Sequence, residues 1–316
     1  MSGATRVVAI SGGIGGAKLA LGLYRVLPAD SLMVACNTGD DFEHLGMNIS
    51  PDLDTVLYTL AGIANPKTGW GRADETWAFM GALETLGGET WFQLGDSDLA
   101  VHVERTRRLL AGESLSEVSS DLCTRLGVRA AVVPMSDQPV RTMVHTDDGI
   151  LPFQHYFVQN RCEPKVTGFT FHGVGDAHPS LPLWEALISE SLEAVIVCPS
   201  NPYISIDPIL AVPGLRGAIA DCGAPVVAVS PILGGKAVKG PTAKMMSELG
   251  IPQSARAVAE HYDGMLTGFV LDDADRGTVT DLPCMYTRIL MESEEDKTNL
   301  ANQVMQFARE IADKAR

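Results

Sequence analysis

Short continuous apolar runs alternate along this chain with stretches of helical period. The runs Val7–Ser11, Leu32–Asn37, Ala130–Met135, Ala194–Pro199, Pro225–Ser230 and Thr267–Leu271 predict strands buried on both faces. The segments Asp54–Ile63, Glu75–Leu86, Ser97–Ala111, Ser114–Leu126 and Thr242–Leu249 carry apolar residues at helical spacing. A helix is also expected from Ala17 onward, and a last one over Glu294–Arg316 begins acidic and ends basic, as the helix dipole prefers. Strand–helix alternation of this kind predicts a Rossmann-like, doubly wound α/β fold with a mostly parallel sheet and helices on both faces. One domain over residues 1–316 is expected. The stretch 142–171 breaks the pattern with alternating and aromatic positions, and reads as an inserted β-rich or mixed subdomain.

In open α/β sheets ligands bind beyond the carboxyl ends of the strands, so the residues after each strand matter most. Four such loops are rich in glycine, hydroxyl, amide, proline or lysine residues: "SGGIGGAK", "NTGDD", "PSNPYIS" and "SPILGGKAVKGP". The first places Gly12, Gly13, Gly15, Gly16 and Lys18 between a strand and a helix. Bare amides and the dipole at a helix N-terminus favour an anion, and phosphate is the first guess. Neither common motif name fits. A dinucleotide fingerprint would need a third glycine where Lys18 stands, and a Walker loop would end in Gly-Lys-Ser/Thr rather than Ala17-Lys18-Leu19.

Composition narrows the choice. The chain has 316 residues, 46% hydrophobic and 20% charged, with a formal net charge of −15. That charge argues against a nucleic-acid backbone or an anionic membrane as partner. No apolar stretch reaches the roughly 18 residues needed to span a bilayer, and the first strand starts too early to leave room for a signal peptide. Six scattered cysteines without a C-x-x-C pair read as reduced thiols, so a cytoplasmic protein is expected. The histidines lack zinc-site spacing, and no G-x-S-x-G elbow is present.

The acidic residues are the strongest chemical signal. Asp40 and Asp41 follow the second strand, and Asp52 and Asp54 open the next helix, where one of them could simply be an N-cap. Carboxylates beside a diphosphate are what Mg²⁺ takes, together with phosphate oxygens. A second group, Asp96, Asp98 and His102, is explained at least in part by helix capping. Trp70, Trp77 and Trp91 could stack on an aromatic ligand, though packing is their commoner use. The residues alone point to a magnesium-assisted transferase acting on a nucleotide diphosphate.

The ordered set "SGGIGGAKL", "NTGDD", "SPDLDTVLYTLAG", "WGRADETW", "LGDSDLAVH", "PMSDQPVRTMVHT", "PSNPYISIDPIL" and "SPILGGKAVKGP", continued by "AEHYDGML" and "LDDADR", resembles the 2-phospho-L-lactate transferase family of coenzyme F420 biosynthesis. The resemblance implies transfer of a phospholactyl, phosphoenolpyruvyl or phosphoglyceryl group from a guanosine diphosphate ester to the ribityl hydroxyl of the deazaflavin Fo, with GMP leaving. It implies that Gly12, Gly13, Gly15, Gly16, Lys18, Asn37, Thr38, Ser200, Asn201, Pro202 and Ser205 hold the nucleotide. Asp40 and Asp41 would hold Mg²⁺, with Asp40 and Asp54 catalytic, and Asp54, Asp52 and Gln93 would meet Fo. Many relatives carry a basic residue at the position of Gln93 and an arginine at that of Ser97. A homodimer is also implied. Two other readings compete: a non-catalytic UDP-sugar-binding regulator of the same superfold, and a nicotinamide-dependent dehydrogenase weakened by the missing glycine.

Overall fold

The computed structural model describes residues 5–28, 30–237, 241–278 and 280–315. Seven strands form the central sheet: β1 (Val7–Ser11), β2 (Leu32–Cys36), β3 (Ala131–Pro134), β4 (Ala194–Val197), β5 (Val226–Val229), β6 (Gly268–Leu271) and β7 (Cys284–Tyr286). They lie in the order β3-β2-β1-β4-β5-β6-β7, and every neighbouring pair is parallel. The six expected strands are all present; β7, a short edge strand of half-buried residues, is additional.

The unbroken apolar runs follow from burial on two sides. Val8, Ile10, Val195 and Val197 point into one core, closed by helices carrying Leu183, Leu187, Ile209, Ile219 and Val258. Val7, Ala9, Ala194 and Ile196 point into the other. That second core is closed by α1 (Gly13–Val26), α2 (Pro51–Ala61), α4 (Leu115–Arg125) and α5 (Glu294–Ala315), with α3 (Asp96–Leu110) contributing Val101. Each fully buried aliphatic side chain of this kind contributes about 1.5–3 kcal/mol. The helix expected over Ser114–Leu126 is observed as α4, and its start is fixed by a reciprocal capping box between Ser114 and Glu117.

The chain runs outward from β1 to β3, then returns to β4 on the other side of β1. The strand order therefore reverses between β1 and β4, which pair Ile10 with Val197, while Ile10 also pairs with Ala35 of β2. The loops leaving β1, β2 and β4 thus emerge side by side, and a crevice opens where they diverge.

Two smaller units overhang that rim. Arg141–Thr146, Gly149–Pro152 and Val166–His172 form a three-stranded antiparallel sheet where a β-rich insertion was expected, and a π-helical turn, His155–Gln159, follows its second strand. Beside it, Ile49, Met80 and Leu94 form a separate small core with Phe42, Phe92 and Leu99. It ties the hairpin of Phe42–His44 and Met47–Ile49 to the helix Ala78–Thr85.

Three expected helix starts are corrected: α2 begins at Pro51 rather than Asp54, the helix after it at Ala78 rather than Glu75, and α1 is displaced furthest. Helix α1 starts at Gly13, not near Ala17, so Gly13, Gly15 and Gly16 are its first turn rather than a loop. Glycine's poor helix propensity hides this start. Close packing explains it: a Cβ on Gly15 would lie 2.4 Å from the Pro199 carbonyl, and one on Gly16 would lie 2.3 Å from Ser11 Oγ.

Candidate active site

A cleft of about 480 Å³ opens at the switch point. Its floor is the N-terminus of α1 with Gly12, Gly13, Gly15 and Lys18, and the turn after β4 with Ser200, Asn201 and Ser205. Asn201 shapes that turn by accepting hydrogen bonds from the amides of Tyr203 and Ile204, with Pro202 starting the following π-helical turn. A Cβ on Gly12 would meet Ser205 Cβ at 2.6 Å, so glycine there lets the two floor segments touch. Gly13 is held at φ +65, where a side chain is strained, and the space its Cβ would enter is open. Gly16 and Pro202 lie beneath this surface.

Above the floor stands an acidic wall. Asp52 accepts from the Gly13 amide at 2.7 Å and from Asn37 Nδ2 at 3.0 Å. Asn37 is buried and also donates to the Ile204 carbonyl at 3.3 Å, so it links α2 to the turn after β4. Asp40 lines the cleft, yet its buried Oδ1 has no hydrogen-bond partner. Asp41 sits behind it: Ser50 donates to Oδ2 at 2.7 Å, while Oδ1 is unpartnered. Thr38 is likewise buried with an unpartnered hydroxyl, and Arg141 reaches its carbonyl at 3.5 Å.

Burial is the main cause of the proton affinities here. It pushes Asp40 well above the ordinary carboxylate range, and the charge of Asp52 adds to this. Burial lifts Asp41 to about 7, against the pull of Arg141, Ser50 and Arg105. Asp52 is raised by burial too, against its bonds from Asn37 and Gly13. Buried carboxylates that repel one another and leave oxygens unpartnered fit a divalent cation. Mg²⁺ needs only one or two protein carboxylates when phosphate oxygens and water complete its shell. Asp40 and Asp41 therefore suit that ion chemically.

Asp54 faces the other way and does not line the cleft. Both its oxygens are engaged by the Arg105 guanidinium, one at 3.1 Å, and both side chains are buried. His102 Nδ1 lies 3.7 Å from Asp54, and His102 Nε2 lies 3.3 Å from Asp98, which accepts from Tyr58 at 2.5 Å. Asp54, Asp98 and His102 bring ligand atoms within 4.8 Å of one another, but the guanidinium already neutralises Asp54. This is an ion-pair network joining α2 to α3. Asp96 caps, as the sequence suggests, but it caps the preceding helix by accepting from the amides of Ala78 and Phe79. Glu75 returns the favour to the amides of Ser97 and Asp98. All six cysteines are free thiols.

The remaining walls are apolar. Trp91 and Phe92 line one side, with the Trp91 ring 4.8 Å from His155 and 5.1 Å from His44. Phe153 and Phe157 stack at 5.3 Å on the insertion, beside Gln154, which donates to the Asp40 carbonyl at 3.2 Å. Trp70 and Gln93 complete this side; Gln93 donates to the Thr90 carbonyl at 2.8 Å. Trp77 lies outside, exposed. Ser230, Pro231, Pro241 and Thr242 of the fourth loop also reach the cleft, whereas Val238–Gly240 lie outside the described residues. Ile289–Met291 are lining residues that no sequence signal marks; the Met291 carbonyl accepts from Lys18 Nζ at 2.5 Å.

Among the described residues no helix is long and apolar enough to cross a membrane. In fold, the chain is similar to a crystal structure of a UPF0052 family member from Bacillus halodurans, with a TM-score of 0.63 at 15% identity over 96% of this chain and 99% of that one. In sequence it is 39% identical to a phosphoenolpyruvate transferase of Streptomyces griseus over 97% of this chain and 99% of the relative. It is also 39% identical to a 2-phospho-L-lactate transferase of Methanosarcina mazei, over 95% and 99% respectively. The family model of 2-phospho-L-lactate transferase CofD matches residues 7–303. A switch-point cleft pairing a helix N-terminus with buried carboxylates is thus carried by a chain that belongs to the CofD family of 2-phospho-L-lactate and phosphoenolpyruvate transferases.

Proposed function

We propose that the protein transfers a phospholactyl, phosphoenolpyruvyl or phosphoglyceryl group from a guanosine diphosphate ester to the ribityl hydroxyl of Fo. The acceptor oxygen forms a bond to the β-phosphorus, and the bond from that phosphorus to the bridging oxygen breaks, releasing GMP. Such a transfer depends on positioning and on neutralising phosphoryl charge. The observation that carries the reading is one cleft lined by both the α1 N-terminus and Asp40, whose buried Oδ1 has no hydrogen-bond partner.

The amides of Gly12 and Gly13, with Ser200 and Asn201, face the diphosphate. Asp40 and Asp41 would hold Mg²⁺, which would supply neutralisation of the phosphoryl charge. The rings of Trp91, Phe92 and Phe157 offer flat apolar surface for the planar acceptor, whose edge Gln93 can reach. Asp52, at the cleft and with raised proton affinity, accepts the hydroxyl proton late in the transfer. Asp54 supports this wall from behind through Arg105. The resemblance further implies a cytoplasmic homodimer, which light scattering checks for assembly.

Single-turnover mass spectrometry with Fo, Mg²⁺ and each of the three guanylated donors tests the proposal. A mass gain on Fo with GMP release is expected, and the donors are ranked by rate. Nucleotide binding with no product from any donor would favour the non-catalytic regulator instead.

A further inference from the structure

The anion subsite at the α1 N-terminus already holds an anion. The carboxylate of Asp52 accepts from the Gly13 amide at 2.7 Å, and Ser200 Oγ accepts from the Gly12 amide at 3.1 Å. Asp52 belongs to the first turn of α2, not to α1, so it is not capping its own helix. It reaches across from a neighbouring element to the place where a phosphate would bind. Space remains beside it: nothing lies within 4 Å of where a Gly13 side chain would point. A second, independent feature marks the same cleft as a ligand site, namely the buried, unpartnered Oδ1 of Asp40.

We infer that Asp52 is a resident phosphate mimic that makes diphosphate binding conditional on a divalent cation. The inference rests on the reading that a nucleoside diphosphate occupies this cleft. A diphosphate reaching Gly13 must displace the carboxylate of Asp52. The displaced group keeps Asn37 Nδ2 as its other partner and stays beside Asp40, whose proton affinity its charge already raises. Without a cation, the incoming phosphates therefore meet an acidic wall of Asp40, Asp41 and Asp52 and lose. With one held by Asp40 and Asp41, the phosphate charge is offset and the displaced Asp52 no longer prevents binding. A monophosphate product holds a divalent cation less firmly than a diphosphate does. Asp52 then retakes the Gly13 amide and helps expel the product.

The alternative is that Asp52 only stitches α2 to α1. The two roles separate in an equilibrium titration of GDP, in EDTA and in Mg²⁺, with wild-type protein and Asp52→Asn, alongside thermal unfolding. Wild-type protein should bind GDP at least about tenfold tighter with Mg²⁺ than in EDTA. In EDTA, Asp52→Asn should bind GDP about tenfold tighter than wild type, and Mg²⁺ should then improve its affinity by a smaller factor than it does for wild type. A folded Asp52→Asn protein with unchanged or weaker affinity in EDTA overturns the inference and leaves the functional reading standing. Failure of wild-type protein to bind GDP even with Mg²⁺ overturns both. If Asp52→Asn does not fold, the carboxyl-carbon resonance of Asp52 in wild-type protein decides. It should move when GDP and Mg²⁺ bind, and an unmoved resonance in GDP-saturated protein overturns the displacement.

Discussion

Asp52 and Asp54 sit in the same turn of α2, yet they do different work. Asp52 lines the cleft and holds the Gly13 amide; Asp54 is buried behind it against Arg105. Helix geometry forces the division. Positions i and i+2 are separated by about 200° around the axis, so both cannot face one ligand. The motif "PDLDT" therefore contains one cleft carboxylate and one anchoring carboxylate. A string of acidic residues says how much charge is present, and the period of the element says where each charge points.

The largest effect should come from breaking the anchored side. Asp54→Ala leaves Arg105 buried and unpaired, at a cost of about 3–5 kcal/mol measured by denaturant unfolding. Replacing both partners, Asp54→Leu with Arg105→Met, should recover most of that loss, because an apolar pair removes both desolvated charges together. A double variant as unstable as the single one would mean that Asp54 does more than pair with Arg105.

On the cleft side the expectation is inverted. Asp40→Asn should lower the single-turnover rate by about a hundredfold or more while leaving thermal unfolding unchanged or slightly raised. The stability half follows from burial: Asn replaces a carboxyl that burial disfavours in its charged form and whose Oδ1 has no partner.

A smaller effect concerns pH. Asp41 titrates near 7 in the fold but near 4 when unfolded. A carboxyl raised on folding favours the native state while protonated, so this contribution is full below about 4 and is lost as pH rises towards about 7. Protein free of metal and nucleotide should thus lose stability on the order of 1–3 kcal/mol across that window. Mg²⁺ with GDP should flatten the slope; a slope of opposite sign would contradict the burial of Asp41.

Much of this architecture was legible in the sequence. The central strands announced themselves because burial on both faces demands unbroken apolar runs. The helix expected from Ser114 starts where its period begins, and the Ser114–Glu117 box that holds this start is local chemistry. What stayed hidden depends on distant contacts. The start of α1 at Gly13 goes against propensity and is set by the approach of Pro199. Likewise, Ile289–Met291 carry no mark of the cleft they line, and the reciprocal caps of Asp96 and Glu75 require two helix starts to meet. The aspartates were visible as a group, but Arg105, which sorts them, lies far along the chain.

The smallest effect expected is at the rim. Gln93 is exposed and makes one neutral hydrogen bond, so Gln93→Ala should raise the KM for Fo by about tenfold at most, with little change in kcat. A large fall in kcat would place Gln93 among the reacting groups.

The most direct test of the division between the two aspartates is the single-turnover transfer rate of the Asp54→Leu/Arg105→Met protein, measured beside Asp40→Asn. The account predicts that the double variant, once shown to be folded, transfers within about tenfold of wild type, a loss worth at most about 1.4 kcal/mol, while Asp40→Asn is nearly inert. A folded double variant that transfers nothing would contradict it and return Asp54 to the chemistry.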